Sequence, residues 1–121
     1  MKNNMSVSEA ELEIMQVLWE EDKPLSIREI QEKLSSMGWK YNTVGTMLLR
    51  LESKGAVSSV KDGRTILYTP VLQKEVYKSE RTKTLIQKLY NGSVKELAVS
   101  LFKSDSMTRE DIEEIKKMFD L

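Results

Sequence analysis

The chain of 121 residues contains no cysteine and no histidine. Without thiols there is no disulfide framework, no thiolate metal site and no cysteine nucleophile. Without imidazole, the commonest general base and the commonest metal ligand are missing. No apolar run approaches membrane-spanning length. The start, Met1-Lys2-Asn3-Asn4, leads into a charged helix and not into a signal-peptide pattern. A cytoplasmic protein without metal or cofactor is the expectation, and no membrane partner is expected. Net charge is absent too: 19 basic side chains balance 19 acidic ones. The carboxylates, lysines, serines and tyrosines that remain form no phosphate-binding glycine loop, nucleophile elbow or metal-ligand spacing. Asp111, Glu113 and Glu114 belong to a helix start, where they favour the helix dipole. The chain does not read as an enzyme.

The charges that are present are unevenly placed. Glu9, Glu11, Glu13, Glu20, Glu21 and Asp22 cluster early with no basic residue among them. They read as a solvated helix face and not as a metal site. From Trp39 to Arg64 the balance reverses, with Lys40, Arg50, Lys54, Lys61 and Arg64 set against Glu52 and Asp62. Contact with phosphates requires a local basic surface of this kind, not a basic chain.

The basic stretch is also the most patterned one. Val44, Met47, Leu48 and Leu51 fall at helical spacing and form one apolar stripe. The opposite face carries Asn42, Thr43, Thr46, Arg50, Ser53 and Lys54 and holds no acid. Asn42 is suited to cap this helix and Gly55 to follow its end. The period then alternates: Val57–Lys61 reads as one strand and Thr65–Thr69 as another. Asp62-Gly63 is the turn signal, Arg64 lies at the tip and Pro70 is the stop.

Two helices precede this unit. Ser8-Glu9-Ala10-Glu11 has the capping-box form and opens a helix to about Glu21, with Leu12, Met15, Leu18 and Trp19 at core spacing and Ile14 and Val17 widening the stripe. Lys23-Pro24 breaks it. Ser26-Ile27-Arg28-Glu29 repeats the capping box and opens a helix to about Met37, with Ile27, Ile30 and Leu34 inward. Gly38 ends it, Trp39 packs on the core, and Leu25 adds a short edge strand beside the hairpin. The order is that of a winged helix-turn-helix in a mainly α fold with a small β-hairpin. In such a fold the third helix enters the DNA major groove and the hairpin lies over the backbone or minor groove. Short Thr and Asn side chains approach base edges closely, and arginine pairs bidentately with guanine. Asn42, Thr43, Thr46, Arg50, Lys54 and Arg64 are the candidate DNA contacts. The competing reading is a winged-helix protein-interaction module or co-regulator without sequence-specific DNA binding. Leu49, near the edge of the polar face, is the residue that suits it.

After Pro70 the pattern is helical throughout. A helix spans about Gln73 to Tyr90, and Asn91-Gly92 stops it. Ser93-Val94-Lys95-Glu96 opens a helix whose stripe is Val94, Leu97, Ala98, Leu101 and Phe102. Thr108-Arg109-Glu110-Asp111 opens a last one with Ile112, Ile115, Met118 and Phe119 on one face. Short amphipathic helices of this kind cannot bury their stripes alone. A homodimer is the natural answer, because symmetric pairs place two recognition helices on two half-sites. The expected division is a winged-helix DNA-binding domain over 1–71 and a helical dimerisation domain over 72–121.

Three stretches together resemble the penicillinase repressor family (BlaI/MecI), which includes copper-responsive repressors. They are Leu12-Glu13-Ile14-Met15-Gln16-Val17-Leu18-Trp19; Thr43-Val44-Gly45-Thr46-Met47-Leu48-Leu49-Arg50-Leu51 with Lys54-Gly55; and Gly63-Arg64 with Tyr68-Thr69-Pro70. The resemblance runs from about Ser6 to the end and includes Gly92-Ser93. It implies a dimeric winged-helix transcriptional repressor with a palindromic double-stranded DNA operator. By position, Thr43, Thr46 and Arg50 fall where the family's recognition helix meets DNA, and Arg64 falls on the wing. Many members have lysine before the first helical threonine, where this chain has Asn42. The β-lactam-responsive members are inactivated by cleavage of an Asn-Phe bond in the penultimate helix, which implies a sensor protease as a partner. The matching pair here is Leu101-Phe102, which keeps Phe and not Asn, and read from the residues it is dimer core first. The copper-responsive members carry a cysteine-rich metal site, which this chain lacks.

Overall fold

A computed structural model describes residues 6–118. In chain order the elements are α1 (Glu9–Glu20), β1 (Leu25–Ser26), α2 (Ile27–Lys33), a 3₁₀ turn (Ser35–Met37), α3 (Tyr41–Ser53), β2 (Val57–Asp62), β3 (Thr65–Pro70), α4 (Lys74–Leu89), α5 (Val94–Lys103) and α6 (Arg109–Met118).

The first two helices start where their side chains can replace missing backbone partners. Ser8 Oγ accepts from the Glu11 N–H at 3.1 Å, and Glu11 Oε1 accepts from the Ser8 N–H at 2.9 Å. Ser26 and Glu29 repeat the exchange at 3.2 and 2.9 Å. Each box satisfies two otherwise orphaned donors. α2 is shorter than its pattern suggests: it ends at Lys33, and Leu34 leaves helical geometry at φ −106°, ψ 29°. Leu34 is drawn into the core while Ser35 and Ser36 face solvent. The chain then tightens to a 3₁₀ turn and reverses at Gly38, whose φ of +70° is left-handed. Gln31 Nε2 donates to the Trp39 carbonyl at 3.1 Å and holds the turn.

That turn also sets where α3 begins. Lys40, not Asn42, is the N-cap residue, and its side chain makes no capping bond. Its carbonyl accepts from the Val44 N–H at 3.1 Å, so the helix starts at Tyr41 and Asn42 lies in its first turn. The far end follows expectation. Gly55 at φ +82° donates to Glu52 O, and Ala56 donates to Leu51 O, which is a Schellman close.

The sheet has the order β1-β3-β2, all antiparallel. Leu25 pairs with Tyr68 and Ser26 with Leu67, which confirms the short edge strand. Asp62 pairs with Thr65, so the connection is Gly63-Arg64, one residue later than the Asp62-Gly63 signal suggests. Glycine first at φ +65° suits a two-residue hairpin loop, and Asp62 joins the ladder instead. Val57 and Tyr68 point to the core together with Leu25. Ile14, Met15, Leu18, Ile30, Val44, Leu48 and Leu51 are among its deepest members, each at most 1% exposed. Side chains of this kind contribute about 1.5–3 kcal/mol each by leaving water.

The chain divides into two compact units, Met1–Glu80 and Arg81–Leu121. The first runs past the expected limit at 71, because Leu72 and Tyr77 belong to its core. Trp19 Nε1 donates to the Leu72 carbonyl at 2.8 Å, and the Trp19 and Tyr77 rings lie 5.7 Å apart. The second unit holds the rest of α4 with α5 and α6. Asn91 (φ +52°) and Gly92 (φ +79°) end α4. Ser93 Oγ accepts from the Glu96 N–H, and Thr108 and Asp111 exchange bonds at 3.0 Å to start α6.

Candidate nucleic-acid interface

α3 turns Val44, Met47, Leu48 and Leu51 inward and leaves Asn42, Thr43, Thr46 and Arg50 exposed on the other side. Its first turn holds no acidic residue, so the positive end of the helix dipole is not offset there. The acid of α3, Glu52, is engaged by the sheet: its Oε2 accepts from Ser59 Oγ on β2 at 2.7 Å. Among the described residues Arg50 and Arg64 have no ion-pair or hydrogen-bond partner for their side chains. Both guanidiniums keep all their donors for an external acceptor. Thr46 is less free, because its hydroxyl donates to the Asn42 carbonyl at 2.9 Å. What it offers outward is its methyl and the remaining lone pairs.

Lys54 does not share this disposition. Its ammonium donates to Glu11 Oε1 and, at 2.9 Å, to the Ser6 carbonyl. The Glu11 side chain is 3% exposed. Glu11 is therefore not part of a solvated acidic face, as the sequence cluster suggested. It caps α1 at one oxygen and ties that cap to the end of α3. Burial opposes its ionisation, but the bonds from Lys54 and Ser8 and the charge of Lys54 outweigh this and hold its carboxyl below the ordinary value of 4.5. Among the described residues no group of acidic side chains is arranged to hold a metal ion.

Beside the exposed face of α3 lies a cleft of about 310 Å³. Its walls come from three places: Ser26, Ile27 and Arg28 at the start of α2, Tyr41 at the start of α3, and Arg64, Thr65 and Ile66 on the hairpin. Arg28 and Tyr41 were not singled out in the sequence. Both sit at helix starts with no local signal that sets them apart; only the approach of the hairpin puts them beside Arg64. No helix among the described residues is long and apolar enough to cross a membrane.

In the second unit Val94, Leu101, Phe102, Ile115 and Met118 are exposed, and Leu97 and Ile112 are half-buried. Leu101 and Phe102 are adjacent on α5. Phe119 lies outside the described residues. From Arg81 to Met118 no described residue is buried.

A solution structure of the DNA-binding domain of the repressor BlaI superposes with a TM-score of 0.56 at 40% identity, covering 64% of this chain and 94% of that one. The same identity and coverage hold for the solution structure of the Bacillus licheniformis BlaI monomeric form in complex with the blaP half-operator, with a TM-score of 0.52. The Penicillinase repressor of Bacillus licheniformis is 31% identical over 120 residues, which are 99% of this chain and 94% of that protein. The sequence model of the Penicillinase repressor family matches residues 7–120. A three-helix core with a three-stranded winged sheet, matched in both sequence and structure over these spans, establishes that the chain belongs to the penicillinase repressor family.

Proposed function

We propose that this protein is a dimeric, sequence-specific transcriptional repressor that binds a palindromic operator and is released by an inducing signal. The observation that carries the reading is the outer face of α3. It is acid-free and largely polar, with Leu49 exposed at its edge; it is backed by a packed stripe and carries an arginine with no internal partner. A helix held rigidly on one side and armed with short polar groups on the other is what base readout in a major groove needs. Asn42 and Arg50 would read bases, Thr43 and Thr46 would approach closely, and Arg64 would meet the backbone from the wing. A relative solved with a half-operator supports the same partner. α5 and α6 would supply the dimer contact through Val94, Leu97, Leu101, Phe102, Ile112, Ile115, Met118 and Phe119. Leu101-Phe102 serves first as dimer core; cleavage there by a sensor protease is the second role, with leucine where the β-lactam-responsive members have asparagine.

The test is selection of bound duplexes from a random pool by the purified full chain at physiological salt. A two-fold symmetric motif is expected. Weak, salt-sensitive binding with no motif would overturn the reading in favour of a protein-interaction module.

A further inference from the structure

The cleft between the helix-turn-helix and the wing gathers polar groups that face outward and have not been used. Arg28 stands on its α2 wall and Arg64 on its hairpin wall. Among the described residues neither guanidinium is engaged by an acid or a hydrogen-bond acceptor. Two unpaired arginines on opposite walls of one small concavity repel each other and gain from an anion between them. Tyr41, 47% exposed, adds a hydroxyl donor from the start of α3. The floor is firm: Ile27 lies against Gly45 of α3, where an added Cβ would meet Ile27 Cδ1 at 3.5 Å. The acids nearest in sequence are Glu29 and Asp62. Glu29 accepts from the Ser26 N–H at 2.9 Å and faces the Lys23 ammonium at 3.9 Å, and Asp62 pairs with Thr65 in the hairpin ladder. Among the described residues neither forms an ion pair with Arg28 or Arg64.

We propose that Arg28, Tyr41 and Arg64 form one binding site for a single phosphodiester of the bound duplex, clamped between the start of α2 and the wing. The inference rests on the DNA-binding reading above and deepens it. Arg28 and Tyr41 become backbone-positioning contacts, and the wing is locked to the helix-turn-helix through the phosphate they share. A phosphate contact carries no base information, so it sets register and affinity without changing the preferred sequence.

The test uses the full chain and a duplex recovered by the selection above; failure to recover any duplex would count against the DNA-binding reading and not against this site. Arg28→Ala and Tyr41→Phe are measured with Arg64→Ala across a salt series. For Arg28→Ala the expected result is about a tenfold loss of affinity, a salt slope lower by about 1, and an unchanged preferred motif. Duplexes with one neutral methylphosphonate at each backbone position then locate the contact. One position should weaken the unaltered protein and have no further effect on either Arg28→Ala or Arg64→Ala. An unchanged slope for Arg28→Ala, or different silent positions for the two arginine variants, would overturn the shared site. Because all three side chains are exposed or at the cleft surface, equal melting temperatures are expected. Arg28→Lys should restore most of the salt slope, which a lost packing role would not do.

Discussion

Lys54 and Glu11 form a half-buried pair across the first unit, and they behave differently from the other charged residues of the α3 region. Lys54→Ala leaves the Glu11 carboxylate without its cation, and because the Lys54 end of the pair is 28% exposed and screened by water the expected cost is about 1–3 kcal/mol of stability. Its effect is expected first in the melting curve and only then in DNA affinity. Glu11→Gln tests the same pair by pH. The folded carboxyl titrates below its ordinary value, so its contribution is complete at neutral pH and is lost as pH falls through the lowered folded value. The unaltered protein should therefore lose stability on acidification below about pH 4, whereas Glu11→Gln, weaker at neutral pH, should show a flatter acid limb by thermal denaturation. Arg50 contrasts with this pair. It has no internal partner, so Arg50→Ala should leave the fold intact, cost about 1–3 kcal/mol in binding and relax base preference at one operator position, read by competition among mismatched duplexes. Unchanged affinity at physiological salt would remove α3 from the role of recognition helix.

At the scale of elements, two glycines of the α3 region predict opposite results from the same substitution. Gly55 closes α3 at φ +82°, and a side chain there meets no neighbour but strains the backbone. Gly55→Ala should cost about 1–2 kcal/mol. Gly45 is helical, and its added methyl would touch Ile27 at an ordinary 3.5 Å. Gly45→Ala should gain about 0.5–1 kcal/mol. Calorimetry of the two variants separates backbone strain from packing, and a loss at Gly45 would show that the α2–α3 crossing is tighter than this geometry. The elements were legible to different degrees. Both early capping boxes and the Gly55 close rest on contacts within a few residues, and the sequence showed them; the Leu25 edge strand, expected as well, exists only through its pairing with Tyr68. The start of α3 and the hairpin turn each lie one or two residues from where the local signals point. Asn42 and Asp62-Gly63 are good local signals, but the 3₁₀ turn at Ser35–Met37 and the pairing of Asp62 with Thr65 decide the positions.

For the whole molecule, the unequal burial of the two units matters most. The first has a closed core. The second presents Phe102 at 56% and Met118 at 75% exposure, and buries none of its described residues. Helices of ten residues are marginal in water without tertiary packing, so a second copy offers α5 and α6 what this chain alone does not. Leu101→Asp and Ile115→Asp are each expected to give monomers by sedimentation, with weak operator binding and an intact first unit by thermal denaturation. Both variants remaining dimeric would remove α5 and α6 from that role.

By itself the sequence determined the helix stripes, the hairpin, the polar face of α3 and the family, because each depends on spacing within a segment or on residues held in order along the chain. The missing histidine and cysteine likewise ruled out sites built from those ligands, whatever the fold. Tertiary structure alone decided which charges are free. It buried Glu11 with Lys54, turned Glu52 to Ser59, and brought Arg28 and Tyr41 beside Arg64. The physical reason is that a side chain's local pattern sets the direction in which it points, whereas its solvation and its charge partners come from segments distant in the chain.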